Sequence, residues 1–182
     1  CIGIAASAHS AFSIPLVRLD DAGQITSFWS ASQEAELTRM LGRLLQHPGV
    51  RWIGQNFLYD RAFLWEWWRV EPPLGWDTLV AQNLLLPGTQ KDLGYLSSIY
   101  CRYSHFWKRD ARGWEDAGDA GLEQLLLYNA EDAARTFEIA ATQQAVFTQR
   151  AMWPLWEHEQ AKIALAWEMQ RRGIAVDQPR RG

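Results

Sequence analysis

The chain has 182 residues, of which 48% are hydrophobic and 21% are charged, and its formal net charge is -3. This composition is typical of a soluble globular domain with a sizeable core, and it excludes a disordered chain. The net charge excludes a protein that coats nucleic acid nonspecifically, although a local basic patch would leave the same total.

The first third of the chain predicts a hairpin, a helix and a further strand. Residues 1–7 and 11–18 are rich in Ile, Val and Ala, which favours two antiparallel strands. After Ser32, the predicted N-cap, Leu and Met recur at helical spacing until the His-Pro-Gly sequence at 47–49 ends the pattern. Residues 50–54 then predict a short strand.

The middle of the chain alternates helices with one more strand. Residues 56–69 have a helical pattern that ends at the proline-rich segment 71–75. Trp76 and Asp77 close a short predicted strand, and residues 78–86 and 93–100 predict two helices.

The last part of the chain predicts a loop and two long helices. Residues 102–121 carry many charges and predict a long surface loop. Residues 122–150 have helical propensity without a breaker, and Pro154 separates them from a last helix over 155–172 that Gly173 caps.

Two pairs of polar residues are candidates for one metal site. Asn56 and Asp60 stand four residues apart at a strand-to-helix junction, and Tyr128 and Asp132 have the same spacing within a helix. Each pair therefore shares one helical face, and carboxylates are the ligands that hard divalent cations prefer. The first pair is also compatible with a helix cap and a first-turn acid. The second pair, taken alone, fits a solvated helix face better than a metal site. The occurrence of both pairs in this order favours one shared site.

Two cysteines, Cys1 and Cys101, show no CxxC spacing, which argues against zinc and favours a reducing compartment. No apolar run in the sequence reaches the roughly 20 residues that a membrane-spanning helix needs, so no membrane partner is expected.

The segments around both pairs resemble the 3'-5' proofreading exonuclease domain of family A DNA polymerases, in particular the phage type. This is the tyrosine-bearing branch of the DnaQ-like, ribonuclease H-like exonucleases. Gly-Gln-Asn-Phe-Leu-Tyr-Asp at 54–60 is similar to the second motif of that family, and Tyr-Asn-Ala-Glu-Asp-Ala at 128–133 to its third. Segments 76–78 and 91–96 resemble its linking region, and His-Phe-Trp-Lys at 105–108 resembles its aromatic-lysine loop.

The resemblance implies an α/β, ribonuclease H-like fold in which helices flank a mixed β-sheet. It implies an exonuclease domain at 1–150 and, at 151–182, a C-terminal helical connection into a polymerase domain of the same full-length chain. Segment 169–177 resembles the lead into that domain, which is not expected in a ribonuclease D-like enzyme. The implied location is the cytoplasm of a bacterial or phage-infected host cell.

The resemblance also implies hydrolysis of the 3'-terminal phosphodiester of single-stranded DNA by two divalent cations, Mg²⁺ or Mn²⁺. Asp132 would bind the metal that activates water, and Asp60 would bind the second metal. Tyr128 would orient the attacking water and Asn56 would steady the 3' end. Two further residues, Trp107 and Lys108, are expected to touch the DNA.

One motif of the family has no counterpart here. An Asp-x-Glu on the first, central strand normally supplies two more carboxylates, but no such triplet precedes Asp60. The expectation is a chain cut at its start, with that central strand missing, an open position between strands 1–7 and 50–54, and negligible activity. Two alternatives stay open: a catalytically silent nucleic-acid-binding or scaffold domain, and an RNA 3'-exonuclease of the same superfamily.

Overall fold

The structure is a computed structural model that describes residues 1–20, 22–102 and 118–175. Its helices follow the predicted order, whereas four strands and not the predicted two precede the first helix in the described residues. The elements are, in chain order, β1 (Ile2–Ser7), β2 (Ser10–Ile14), β3 (Val17–Leu19), β4 (Ile25–Ser27), α1 (Ala31–Leu45), β5 (Trp52–Gly54), α2 (Phe57–Trp68), β6 (Leu74–Asp77), α3 (Thr78–Leu85), α4 (Leu93–Tyr100), α5 (Gly118–Gln149) and α6 (Trp153–Arg172).

The strands of the described segments form three two-stranded sheets, and not the single mixed sheet that was predicted. The pairs β1–β2 and β3–β4 are antiparallel, whereas β5 and β6 are parallel. Within the described residues no strand lies between β1 and β5, so no backbone ladder joins the first sheet to the third. Helix α5 makes the connection instead, because it packs on β1, β2 and β5.

The predicted strand at 11–18 is two strands. β2 ends at Ile14 and β3 begins at Val17, with Pro15 between them. Proline lacks a backbone N–H and cannot continue a ladder, so the chain leaves the first hairpin there. A second hairpin follows, and its turn is held by the Asp20 side chain, which accepts from the N–H groups of Ala22 and Gln24.

Helix α1 begins two residues earlier than the sequence predicted. Its N-cap is Ser30, whose side chain accepts from the backbone N–H of Gln33, while the Gln33 side chain accepts from the backbone N–H of Ser30. This reciprocal capping box satisfies two donors at once, which Ser32, inside the first turn, does not do.

The two long C-terminal helices agree with the prediction apart from their starts. α5 begins at Gly118, within the predicted loop 102–121, and residues 103–117 of that loop lie outside the described residues. α6 begins at Trp153, so Pro154 lies in its first turn, where a missing N–H costs nothing. Gly173 ends α6 with φ of 67°, as predicted for a glycine cap.

One cluster of the core is rich in aromatic side chains. Trp76 of β6 is 1% exposed and packs on Phe147 of α5 and Trp156 of α6, with ring centroids 4.9 Å and 4.2 Å away. These contacts fix β6 against both long helices. No described helix is both long and apolar enough to span a membrane.

Candidate functional site

Tyr128 and Asp132 lie one turn apart on α5, so their side chains share one face of the helix. Burial raises the pKa of Tyr128, and the negative charge and hydrogen bond of Asp132 raise it further. The Tyr128 ring packs on the cluster of Leu93, Leu96 and Ile139. The phenol is therefore half-buried, and its pKa responds to the charge of the carboxylate one turn away.

Close packing on the first hairpin fixes the position of α5 at this pair. The Asn129 side-chain oxygen accepts a hydrogen bond of 3.1 Å from the Ser13 hydroxyl. A Cβ atom at Gly3 of β1 would lie 2.6 Å from the backbone oxygen of Asn129, so only glycine permits this approach. Glu131, which directly precedes Asp132 in the sequence, forms an ion pair of 3.1 Å with Arg135.

Asn56 occupies the N-cap position of α2 but does not cap the helix. Its backbone is left-handed, with φ of 57° and ψ of 48°, and within the described structure its side chain makes no capping hydrogen bond. The helix-cap alternative for Asn56 is therefore wrong, because a capping side chain requires an extended backbone. The Asn56 side chain is exposed at the surface.

Asp60 lies in the first turn of α2 and reaches the surface. Neighbouring protein atoms nevertheless displace part of its water, and this desolvation raises the pKa of Asp60 to about 6. The charge of Asp77 raises this pKa further, while a backbone hydrogen bond opposes the rise. In the described ranges no cation forms an ion pair with Asp60, so a bound cation would relieve a carboxylate that is poorly stabilised by its surroundings.

Asp77, at the end of β6, is a site residue that sequence reasoning did not assign. Asp77 is buried, with 3% of the residue exposed, and its carboxylate accepts hydrogen bonds from four backbone N–H groups. They belong to Asn56 at 3.1 Å, Phe57 at 2.8 Å, Leu79 at 2.9 Å and Val80 at 3.3 Å. Burial raises the pKa of Asp77, and the four donors oppose that rise. The available sequence signal was an Asp that directly precedes a helix, which is typical of an N-cap.

The structure thus places Asp77 close to the predicted pair Asn56 and Asp60 at the start of α2, and the charge of Asp132 acts on Tyr128 within the second predicted pair. Among the described residues no three His, Cys, Asp or Glu side chains lie together as a metal centre would require. Asp60 and Asp132 are donors of the type that Mg²⁺ and Mn²⁺ prefer, but two carboxylates do not complete a two-cation site. Trp107 and Lys108, the remaining predicted site residues, lie outside the described residues.

A family model described as 3'-5' exonuclease matches residues 13–145, which is well over half of the chain and includes both pairs. The chain belongs to this 3'-5' exonuclease family. The resemblance seen in the sequence is confirmed at this level. A search of curated proteins and a search of solved structures gave no match to the chain.

Membership in the exonuclease family gives the two pairs a chemical context. A 3'-5' exonuclease acts on a nucleic-acid strand, and exonuclease domains of this kind generally use divalent metals. The α/β architecture, with helices packed on small sheets, is consistent with the ribonuclease H-like class.

Proposed function

We propose that the chain is a 3'-5' exonuclease domain that hydrolyses the 3'-terminal phosphodiester of single-stranded DNA. In this proposal it is the proofreading part of a DNA-directed DNA polymerase whose polymerase domain belongs to the same full-length chain. The observation that carries the proposal is the placement of Tyr128 and Asp132 one turn apart on α5, where burial and the Asp132 charge raise the pKa of the phenol. It places a neutral donor beside a carboxylate, within the segment that the family match covers.

Each residue of the two pairs has a separate role in this proposal. Asp60 and Asp132 are ligands of two divalent cations, Mg²⁺ or Mn²⁺. Tyr128 orients the attacking water through its phenol, which its raised pKa keeps protonated at neutral pH. Asn56 holds the 3' end through its exposed side-chain amide. Trp107 and Lys108 are proposed to contact the DNA.

The number of carboxylates limits what these residues can do by themselves. Asp77 is occupied by backbone donors, so Asp60 and Asp132 remain for cation binding. Phosphodiester hydrolysis by a metal pair normally uses more carboxylate ligands than these two. We therefore propose negligible hydrolysis by the 182-residue chain and measurable hydrolysis once a strand that carries Asp-x-Glu is added before Cys1.

The test is digestion of a 5'-labelled single-stranded DNA oligonucleotide in Mg²⁺ or Mn²⁺ by the chain with and without the added strand. A ladder that shortens from the 3' end only with the added strand supports the proposal. Asp132→Asn in the extended chain should abolish the ladder, whereas the matched control Glu123→Gln, an exposed acid of the same helix, should not. A matched RNA oligonucleotide in the same assay decides between a DNA and an RNA 3'-exonuclease.

A second candidate function is a nucleic-acid-binding or scaffold domain without catalysis. The observation that favours it is that the described residues contain no three-carboxylate cluster. An extended chain that folds and binds the oligonucleotide but never shortens it would support this function and exclude the nuclease.

A further inference from the structure

We infer that Asp77 is a positioning residue for substrate binding, because it caps α2 in place of Asn56 and thereby leaves the Asn56 side chain exposed toward a ligand. The inference rests on the proposed function, in which Asn56 holds the 3' end of the strand. In this inference Asp77 does not contact the substrate itself, but it determines whether the Asn56 side chain can.

The start of α2 has an unusual cap. The first N–H groups of a helix have no partner within the helix, and the side chain of the N-cap residue usually accepts one of them. Here Asn56 occupies that position in the left-handed conformation, and Asp77 of the neighbouring strand accepts from the N–H groups of Phe57 and Asn56 at 2.8 Å and 3.1 Å. The amide of Asn56 is consequently not used for capping.

The capping carboxylate is itself held rigidly. The indole N–H of Trp76 donates to Gln143 at 3.1 Å, and the Gln143 amide donates to the backbone oxygen of Thr78 at 3.1 Å. Gln143 is fully buried and belongs to α5, the helix that carries Tyr128. The two chain neighbours of Asp77 are therefore anchored to α5, which ties the start of α2 to the same helix.

A single substitution separates the two capping roles of Asp77. One carboxylate oxygen, Oδ1, accepts from Asn56, Leu79 and Val80, whereas Oδ2 accepts only from Phe57. If asparagine replaces Asp77 with its side-chain oxygen in the position of Oδ1, the bonds from Asn56, Leu79 and Val80 are kept. The NH₂ group then occupies the position of Oδ2 and faces the N–H of Phe57, which it cannot accept from. Asp77→Asn therefore releases the start of α2 while α3 stays capped.

Two companion variants complete the design. Asn56→Gly removes the side chain without strain, because glycine adopts the left-handed conformation that Asn56 has. Asp92→Asn is the matched control, since Asp92 caps α4 by accepting from the N–H of Tyr95 at 3.0 Å and loses the same negative charge.

The first measurement is binding of a single-stranded DNA oligonucleotide to the 182-residue chain by fluorescence anisotropy. Asn56→Gly should weaken binding by about 3-fold to 10-fold, the effect of one lost hydrogen bond. Asp77→Asn should weaken it similarly, although loss of a negative charge alone would strengthen it, and the double variant should bind no more weakly than Asn56→Gly. Additive losses, or an equal loss in Asp92→Asn, would overturn the inference.

The second measurement is amide hydrogen exchange, which needs no ligand. Asp77→Asn should accelerate exchange at Phe57, whose N–H then faces the new NH₂ group, and leave the amide of Tyr95 unchanged. Asp92→Asn should leave both amides unchanged, because the asparagine oxygen can still accept from Tyr95. Unchanged exchange at Phe57 would overturn the capping role. A wild-type chain that binds no oligonucleotide would count against the proposed function, and the exchange data would still decide whether Asp77 caps α2.

Discussion

Asp60 lies close enough to Asp77 for the negative charge of one carboxylate to disfavour ionisation of the other. Desolvation is the larger cause, and together they raise the pKa of Asp60 to about 6. The folded chain therefore binds a proton at Asp60 more tightly than the unfolded chain does, which links the stability of the fold to pH.

This linkage predicts how pH changes stability. Protonated Asp60 contributes stability that is fully present below the ordinary Asp pKa of about 4 and is lost as pH rises through about 6. The Tm of the wild-type chain should therefore fall relative to that of Asp60→Asn between pH 4 and pH 7. Glu66→Gln is the control, because it removes a different negative charge from the same helix. A Tm difference between wild type and Asp60→Asn that is constant over this range would contradict the prediction.

Metal binding should depend on both candidate ligands. Asp60→Asn and Asp132→Asn should each weaken Mn²⁺ binding to the extended chain by at least about 10-fold, the effect of losing even an outer partner of a metal site. Isothermal titration calorimetry measures this affinity. Glu123→Gln, on the same helix as Asp132, should leave it unchanged, and equal affinities in all three variants would exclude Asp60 and Asp132 as ligands.

Tyr128 should matter through its hydroxyl and not through its ring. Tyr128→Phe keeps the packing on Leu93, Leu96 and Ile139, so the free energy of unfolding should change by about 1 kcal/mol or less. Hydrolysis by the extended chain should fall by about 100-fold, within the range for a group that acts in the transition state. Tyr95→Phe, which alters a tyrosine packed on the same cluster, is the control. Equal rates for both variants would remove Tyr128 from the mechanism.

Two glycine substitutions should have opposite signs. At Gly3 a Cβ atom would meet the Asn129 backbone oxygen at 2.6 Å, so Gly3→Ala should destabilise the chain by about 1–3 kcal/mol. At Gly42, inside α1, the nearest atom is a Val70 methyl at 3.8 Å, and Ala should stabilise the helix by up to about 1 kcal/mol. Urea denaturation measures both, and a neutral Gly3→Ala would show that α5 shifts easily on β1.

Local patterns in the sequence predicted most of the helices and both polar pairs. The spacing of Leu and Met predicted α1, and the glycine at 173 predicted the end of α6, because these signals act within one or two turns. The same applies to Tyr128 and Asp132, whose fixed spacing on α5 places both side chains on one face of the helix, where the charge of Asp132 raises the pKa of Tyr128.

The division into separate sheets is a feature that only the tertiary structure decided. The residue patterns of 1–7 and 50–54 correctly predicted two strands. Strand pairing, however, depends on which segments meet in space, and in the described residues α5 rather than a strand lies between β1 and β5. The end of β2 before Pro15 follows from the sequence itself, since proline has no backbone N–H to donate to a strand ladder.

The role of Asp77 also required the tertiary structure. Sequence alone identified a strand-ending Asp before a helix, and it assigned capping of α2 to Asn56 as an alternative. The bond from Phe57 to Asp77 joins residues 20 positions apart, and it exists because β6 lies parallel to β5 and ends beside the start of α2. Helical spacing follows from backbone geometry that every sequence shares, whereas a cap supplied by a neighbouring strand follows from how the elements pack.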